Sequence, residues 1–467
     1  MASQQAIAGD TSPARYGAIT FLMGLSQLIL TTDFSIISVA LPSIGHDLKV
    51  PPPLLAWVIS ATALTFAGFL VLGGRLTDLL GHRRCLFAGL LLFASGSLAS
   101  AFAPSIWLLL PARALQGLGA AFLSPASFSL INTHIPEGPS RHRALGVFGV
   151  MQGLSVVIGL VIGGFLTTTF GWRAVFLLNL PFVLLALGMT WYVVPRAQSQ
   201  AAHALQNLPS VALVTLATAV LLWAISQIGQ AEVRAGVTAL VLALVGYGSF
   251  YALESRIAAP LIPRAIFTPM LIMGCVAGLG LLAGVGGIFL LANLYMQTVL
   301  KFSAAASGLG MLPYATAVIV AGQAVPLVLA RLPLKTTVIA GFLANITGLV
   351  IFAFCARLQS YVPALLLGSI IAPVGSLTGY MALIGLATAG IPPSQQGLAS
   401  AVLFTCQQIG VALGGTVCLS VAAASSSMAG LDVSSFQSGY LAAAALAALG
   451  LSALLVPVAK AGRSAVA

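Results

Sequence analysis

Charge is the property that this sequence has least of. Only 6% of its 467 residues are charged and eight are acidic, whereas 59% are hydrophobic and the mean hydropathy is +1.08. In a soluble domain about 25% of the residues are charged. Apolar stretches of about twenty residues, long enough to cross a bilayer as helices, recur along the whole chain. The period-two alternation of outer-membrane barrels is lacking. We therefore expect an all-α polytopic membrane protein.

Other absences exclude several chemistries. The sequence has no Gly-Lys pair, so it lacks the GxxxxGK[ST] phosphate-binding loop of an ATPase. Its five cysteines contain no CxxC pair, and none of its five histidines is paired with a second metal ligand. The connections between apolar stretches are too short to hold a soluble domain. We expect no enzyme activity, no cofactor and no bound metal.

The basic residues predict how the chain crosses the membrane. Thirteen of the nineteen Lys and Arg residues fall on the side of the termini and the even-numbered loops, five fall on the other side, and Arg113 lies inside a span. By the positive-inside rule the richer side is cytoplasmic. The net charge of +11 therefore indicates topology in an inner (cytoplasmic) membrane, and we expect no nucleic-acid partner. The predicted spans are about 17–41, 54–73, 84–103, 105–132, 144–168, 173–194, 209–228, 235–253, 268–292, 304–330, 336–356, 361–388, 397–425 and 438–459.

Two longer connections, at 195–210 and 254–269, divide these fourteen spans into groups of six, two and six. We predict an N-terminal six-helix bundle (1–194), a linker with two additional transmembrane helices (195–267) and a C-terminal six-helix bundle (268–467). Secondary transporters use six-span halves of this kind and rock them against each other to alternate access to a central site.

Five motifs follow one another along the chain. They are "TTDFSIISVALPSI" (31–44), "GRLTDLLGHRR" (74–84), "RALQGLGAA" (113–121), "GWRAVFLLNLPF" (171–182) and "LYMQ…SGLGMLP" (294–313). The second has the form Gly-x-Leu-x-Asp-x-x-Gly-x-Arg. In these motifs and over nearly its whole length the sequence resembles the major facilitator superfamily, and in particular its fourteen-span drug:proton antiporter branch. The resemblance implies the major facilitator fold.

The resemblance also implies roles for two sets of residues. One is a gating motif that latches the cytoplasmic side, in which Asp78 pairs with Arg83 or faces a helix N-terminus; its members are Gly74, Asp78, Gly81 and Arg83. The alternative is charge that only holds the loop inside. The other set is the antiporter-motif glycines of the fifth span, Gly146, Gly159, Gly163 and Gly164. Leu160 stands where the motif has Pro, so small-residue packing is kept and the Pro bend is lost, which weakens the inference of antiport.

Two charges stand out inside the spans. Asp33 is the only acidic residue that interrupts an apolar span, and an ionised carboxylate there costs about 2.5–3.5 kcal/mol, so we expect it to face a water-filled cavity. Arg113 needs acceptors such as backbone carbonyls, Gln116 or a carboxylate. The predicted proton-coupling and substrate residues are Asp33, Arg113, Gln116, Gln152, Gln297 and Gln408. The alternative role for each is hydrogen bonding between helices.

The leading hypothesis is a proton-coupled secondary exporter of small amphipathic compounds, as in drug and multidrug efflux, that works by alternating access. With one carboxylate in the membrane, neutral or monocationic compounds fit better than dications. Two alternatives stay open: a facilitator or proton symporter that imports a metabolite, and a non-transporting membrane partner protein with the same fold. The expected partners are the substrate, the coupling proton and the lipid bilayer, and we expect a monomer with both termini in the cytoplasm.

Overall fold

Helices account for all regular structure in the described part of the chain. The computed structural model describes residues 13–50, 57–136, 138–195, 208–229, 232–257, 260, 262–302, 304–392, 395–425 and 432–455. Five of the charged residues counted above lie outside the described residues, namely Asp10, Glu137, Arg196, Lys460 and Arg463.

The helices follow the order of the predicted spans, and we number them α1 to α14, with α6 and α10 each made of two consecutive segments. They are α1 (Pro13–Leu48), α2 (Trp57–Leu80), α3 (His82–Ala101), α4 (Ile106–His134), α5 (Pro139–Thr169), α6 (Arg173–Leu177 and Asn179–Val193), α7 (Leu208–Gly229), α8 (Val233–Glu254), α9 (Pro269–Thr298), α10 (Ala304–Gly310 and Leu312–Arg331), α11 (Leu334–Cys355), α12 (Leu367–Ala387), α13 (Gln396–Ala424) and α14 (Val433–Leu455). Short 3₁₀ turns at Arg264–Ile266 and Ala356–Leu358 and a π turn at Val362–Leu366 lie between them.

The helical form follows from the solvent around the chain. Hydrocarbon offers the backbone no hydrogen bonds, so a spanning segment must make its own. Among the described residues, thirteen helices are long and apolar enough to cross a bilayer, and Ala212–Ile225 within α7 is a shorter apolar helix. Helix starts follow local rules: Pro269 is in the first turn of α9, and the Thr268 hydroxyl accepts from the Leu271 amide at 3.1 Å. These helices agree with the fourteen predicted spans.

The second helix is longer than predicted. The predicted span ends at residue 73, but α2 continues to Leu80 and carries Gly74 and Asp78 on its last two turns. Gly81 then ends the helix with a φ of +85°, which glycine adopts without the steric cost of a side chain. Assigning the charged residues to a loop was wrong, because charge at the membrane edge does not stop a helix whereas a left-handed glycine does. Asp78 therefore lies on a rigid element, and we call this end of the molecule the Asp78 end.

The packing of the first six helices recurs in the last six. In the first group α1 packs on α5, and α2 and α3 both pack on α4. In the second group α9 packs on α13, and α10 and α11 both pack on α12. The groups are joined mainly by contacts of α5 with α10, α2 with α13 and α4 with α13. This recurrence favours the predicted division into 1–194, 195–267 and 268–467, which stays a prediction.

The two additional helices lie beside the contact between α2 and α13. α7 packs on α8, α2 and α13. Leu222 and Ile225 of α7 share an apolar cluster with Ala67 of α2 and Leu413 of α13. The hydroxyls of Thr218 and Tyr247 are 2.9 Å apart and connect α7 to α8, whose surface is mostly exposed.

Glycines allow α5 and α10 to pack at short range. A Cβ on Gly146 would lie 2.7 Å from the Gly322 carbonyl oxygen, and a Cβ on Gly153 would lie 2.8 Å from the carbonyl oxygen of Ala315. Gly149 faces the Gly322 Cα in the same way, at 3.0 Å. Such distances leave no room for a side chain, so small residues set the separation of the two helices.

The glycines of the fifth-span motif should therefore differ in importance. Gly146→Val forces α5 away from α10, and we expect it to destabilise the protein by about 1–3 kcal/mol. Gly164→Val is the matched control on the same helix, since the nearest atom to its added Cβ is Val39 Cγ1 at 3.8 Å. Thermal unfolding of both purified variants in detergent, followed by intrinsic fluorescence, measures the difference. Equal losses in the two variants would contradict this account of the interface.

Candidate functional site

One ion pair is buried inside the first six helices. Asp33 lies near the middle of α1, and Arg113 lies two turns into α4. The Arg113 Nη1 atom donates to Asp33 Oδ2 at 2.7 Å, and the two side chains are only 1% (Arg113) and 4% (Asp33) exposed. An arginine stays charged in proteins, so Asp33 compensates a permanent positive charge in an apolar interior.

Two amides and a hydroxyl complete this contact. Gln116 accepts from Arg113 Nη1 at 2.8 Å and donates to Asp33 Oδ1 at 3.0 Å and to Ser97 Oγ at 2.8 Å. Asn179 of α6 also donates to Asp33 Oδ1, at 3.0 Å. We call these residues the central polar network: Asp33, Ser97, Arg113, Gln116 and Asn179.

The backbone of α2 contributes to the same site. Arg113 Nε donates to the Val58 carbonyl oxygen at 2.9 Å, and the Thr62 hydroxyl donates to the Arg113 carbonyl oxygen at 3.0 Å. The Phe176 ring lies 5.8 Å from the guanidinium carbon. All three kinds of acceptor predicted for Arg113 are therefore present: a backbone carbonyl, Gln116 and a carboxylate. Five helices, α1, α2, α3, α4 and α6, contribute residues to the polar network around this guanidinium.

The sequence predicts a water-filled surrounding for Asp33, and the structure corrects this expectation. The residue is 2% exposed and accepts hydrogen bonds from three side chains, so donors of the protein take the place of water. Ser97 and Asn179 were not predicted as site residues. The only sequence feature that marks them is a polar side chain within an apolar span. The same feature is expected of any residue that forms a hydrogen bond between two helices.

A second site joins the two six-helix groups at the Asp78 end. Asp78 Oδ1 accepts from the Gly397 amide and Oδ2 from the Leu398 amide, both at 2.9 Å. These amides belong to the first turn of α13, where the helix leaves N–H groups unpaired and the helix dipole favours a negative charge. Gly74 permits the approach, since a Cβ there would lie 2.5 Å from the Gly397 carbonyl oxygen. Of the two partners predicted for Asp78, the helix N-terminus is the one present.

Pairing of Asp78 with Arg83 is wrong for this structure. The Arg83 guanidinium carbon lies 4.7 Å from the Trp191 ring and 6.0 Å from the Phe87 ring, a cation–π arrangement on α6 and α3. The left-handed turn at Gly81 separates the two charged residues along the chain. Gly81 therefore contributes the turn that ends α2.

An exposed ion pair connects three elements at the opposite end. Arg173 Nη1 donates to Asp47 Oδ2 at 2.6 Å, and Trp172 Nε1 donates to the same oxygen at 2.9 Å. Arg173 Nη2 also donates to the Ala103 carbonyl oxygen at 3.1 Å. The hydrogen bonds from Arg173 and Trp172 hold the pKa of Asp47 below its ordinary value of 3.8. Because the pair is exposed, its contribution to stability is small.

The remaining predicted glycines have separate neighbours. Gly146 packs on α10, whereas Gly159 and Gly163 pack on α1 against Ser35 and Ile36, and Gly164 has space beside it. The contact with α10 also uses glycines that were not predicted. These glycines are Gly149 and Gly153 in α5 and Gly322 in α10. The sequence feature that could have identified them is the regular spacing of small residues on one face of each helix.

The three other predicted amides do not bond to Asp33 or Arg113 in the described structure. Gln297 is exposed and donates to Asn293 Oδ1 at 2.7 Å. Gln152 and Gln408 are half-buried, and the Gln152 Oε1 atom is buried with no hydrogen-bond partner in the described structure. Their predicted role in substrate binding stays a prediction.

Two helical groups of related packing, joined through glycine contacts and a carboxylate at a helix N-terminus, have the architecture of a secondary transporter. Residues 23–415 match the Major Facilitator Superfamily, and the chain belongs to this family of membrane transporters. The human organic anion transporter MFSD10 shares the fold with a TM-score of 0.70 and 16% identity, over 95% of this chain and 100% of that chain. The predicted major facilitator fold is confirmed.

The relatives include proteins of antibiotic resistance and export. The puromycin resistance protein pur8 of Streptomyces alboniger is 33% identical over 86% of this chain and 80% of its own length. The cephamycin export protein CmcT of Amycolatopsis lactamdurans is 32% identical over 93% and 90%. The multidrug resistance protein Stp of Mycobacterium tuberculosis is 30% identical over 86% and 75%. The chain is thus a multi-pass transporter, not an enzyme, of the fourteen-span branch related to drug and antibiotic exporters.

The geometry at the Asp78 end predicts unequal effects within the gating motif. Asp78→Asn removes the negative charge from the start of α13 and turns an N–H donor toward the helix amides. Hydrogen bonds to a charged group contribute about 1.5–3 kcal/mol, so we expect transport to fall about tenfold or more. Arg83→Gln removes the contacts with the Trp191 and Phe87 rings and leaves the Asp78 contact in place, so it should keep most of the activity. Ethidium efflux from cells, normalised to the amount of protein in the membrane, compares the two variants. We call the contact of Asp78 with the Gly397 and Leu398 amides the latch. Wild-type efflux in Asp78→Asn would contradict a gating role for the latch.

Proposed function

We propose that this chain is a proton-coupled exporter of small amphipathic compounds, located in the inner (cytoplasmic) membrane with both termini and the Asp78 end in the cytoplasm. The observation that carries the proposal is the enclosed Asp33–Arg113 pair, one titratable carboxylate beside one permanent cation. The names of the relatives support export, and the distribution of basic residues supports this orientation.

Protonation of Asp33 changes the energy of the enclosed arrangement. Ionised Asp33 balances the charge of Arg113, whereas protonated Asp33 leaves a buried guanidinium without a counter-charge, at a cost of several kcal/mol. Ionised Asp33 therefore favours the arrangement described above. A proton on Asp33 favours an arrangement in which Arg113 reaches water or another acceptor. A proton gradient can shift the population of two such states by this difference in energy.

The helix α2 connects this site with the latch. Val58 near its start accepts from Arg113, and Asp78 near its end contacts α13. Twenty residues separate them, which is about 30 Å along a helix. A displacement of α2 when Arg113 changes partners therefore also displaces Asp78 from the first turn of α13. Proton binding and opening of the Asp78 end are coupled in this way.

The same pair limits the charge of the substrate. Asp33 is the one acid within the described interior of the first six helices, and Arg113 neutralises it. No uncompensated carboxylate is left there to bind a dication. Neutral or monocationic compounds with a large apolar surface are the substrates that this interior fits.

Import of a metabolite is the second candidate, because Leu160 occupies the position of the motif's Pro and α5 runs as one helix from Pro139 to Thr169.

One experiment distinguishes export, import and the absence of transport. Accumulation of ethidium and a panel of antibiotics is measured in cells with and without the protein, before and after a protonophore collapses the pH gradient. Export predicts lower accumulation that returns to the baseline on collapse. Higher accumulation would indicate import, and no difference would indicate a partner protein without transport.

The coupling role of Asp33 has its own test. Asp33→Asn removes the titratable group but keeps an amide of similar shape, so we expect substrate-driven proton flux to fall at least about tenfold. Proteoliposomes with a pH-sensitive dye inside measure this flux. Asp47→Asn is the matched control, because Asp47 is also on α1 and also pairs with an arginine, but at the exposed end. Unchanged proton flux in Asp33→Asn would remove Asp33 from the mechanism.

A further inference from the structure

Four aromatic side chains form a continuous cluster across the contact between the two six-helix groups. Phe128 of α4 and Phe148 of α5 have ring centroids 4.6 Å apart. Phe404 of α13 lies 4.7 Å from Phe128, and Tyr380 of α12 lies 6.4 Å from Phe148. We call Phe128, Phe148, Tyr380 and Phe404 the ring layer. Each of its two inter-group contacts joins a ring of the first six helices to a ring of the last six.

The ring layer lies in the half of the molecule that is nearer to the Asp78 end. Its members are six to nine residues from the helix ends that face the Asp78 end, which corresponds to a depth of about 9–14 Å. Phe404 is on α13, two turns beyond the amides that bind Asp78. The three phenylalanines are at most 6% exposed. The latch and the ring layer therefore close the same end at two depths, first with a charge and then with apolar rings.

These contacts cannot persist through a transport cycle. Alternating access requires the two groups to separate at the end that opens, and the ring layer spans that separation. Separation exposes Phe128 and Phe148 on one wall and Phe404 and Tyr380 on the other. An apolar compound with a flat ring replaces the lost ring–ring contacts, whereas an aliphatic chain does not offer the edge-to-face geometry that rings prefer.

A polar group lies next to the rings. Gln152 follows Phe148 by four residues, so it is on the same face of α5 one turn further from the Asp78 end. Its Oε1 atom is buried with no hydrogen-bond partner in the described structure. A buried acceptor without a donor is costly, and a compound with an N–H or O–H group beside its ring can satisfy it.

We propose that the ring layer is both the inner seal of the Asp78 end and, once the two groups separate, the aromatic wall that selects flat, ring-containing substrates with a hydrogen-bond donor. This inference rests on the proposed export function and names the substrate class that the function leaves open. It assigns specificity to side chains outside the central polar network and outside the gating motif.

Two substitutions at each ring distinguish the two roles. Phe→Leu at 128 or 404 keeps an apolar seal but removes the π face, whereas Phe→Ala removes both. The matched control is Phe354→Leu, because Phe354 on α11 is 56% exposed and lies away from the layer. The full-length protein is placed in lipid nanodiscs, and binding is measured by calorimetry against empty discs with two monocations: ethidium, which is planar and aromatic, and dodecyltrimethylammonium, which is aliphatic.

We expect F128L and F404L to bind ethidium roughly two- to tenfold more weakly, which corresponds to the loss of one aromatic contact, and to bind dodecyltrimethylammonium as the wild type does. Q152L should also weaken ethidium, whose amino groups are donors, and leave the aliphatic probe unchanged. The alanine variants should in addition leak protons in substrate-free proteoliposomes. Wild-type affinity for ethidium in F128L and F404L, or an equal loss in Phe354→Leu, would overturn the specificity role.

The result that would contradict the proposed export function is different from the result that would contradict the role of the ring layer. If the wild-type protein shows no efflux that depends on the pH gradient, export is wrong, whereas the ring layer is judged by binding alone. If efflux depends on the gradient but the leucine variants bind both probes as the wild type does, the export function stands and the ring layer is only part of the packing. Absence of ethidium binding to the wild type would likewise overturn the inference.

Discussion

The buried guanidinium of Arg113 constrains the whole first half of this transporter. Arginine keeps its charge in any surrounding, so the interior must supply acceptors and a counter-charge. Those groups come from α1, α2 and α4 themselves, through Asp33, the Val58 carbonyl and Gln116, while α6 and α3 hold the acceptors in place. A buried ion pair is weak support for stability, because well-packed apolar residues often replace it without loss. The proposed coupling role gives the pair a function that its small contribution to stability does not.

Burial also makes the pair sensitive to a single proton. In water the charge of Arg113 would be screened, and losing its partner would change little. In the enclosed site the same event leaves a charge with no solvent, and in the proposed mechanism a proton on Asp33 therefore changes the relative energy of two arrangements. In the proposed export cycle, the enclosed state of Asp33 alternates with a state in which the site is open to water.

How much of this site can be read from the sequence depends on how many partners each group can have. Arg113 in an apolar span must find strong acceptors, so the kinds of partner could be predicted, including Gln116 and a carboxylate, but the sequence did not identify Asp33 as that carboxylate. Asn179 and Ser97 are short neutral groups that bond equally well to many neighbours, so nothing in the sequence selected them. The choice between Arg83 and the start of α13 as the partner of Asp78 was likewise open, because it depends on a helix 319 residues away. The left-handed turn at Gly81 ends α2 and directs the chain away from Asp78. Its effect on the partner of Asp78 is visible only in the folded structure.

The closure at the Asp78 end combines three kinds of contact that act over different distances. Glycine contacts between α5 and α10 and between Gly74 and α13 set how near the two groups can come, but they add little attraction of their own in a lipid-surrounded bundle. The Asp78 carboxylate supplies attraction that weakens as soon as water reaches the helix terminus. The rings add an apolar contact at a greater depth, since Phe128 packs on both Phe148 and Phe404 and all three side chains are at most 6% exposed. In the proposed cycle, water that enters when the rings separate weakens the charge contact, and loss of the charge contact allows the rings to separate. Such mutual dependence favours opening in a single concerted step, as the proposed proton-coupled alternating access requires.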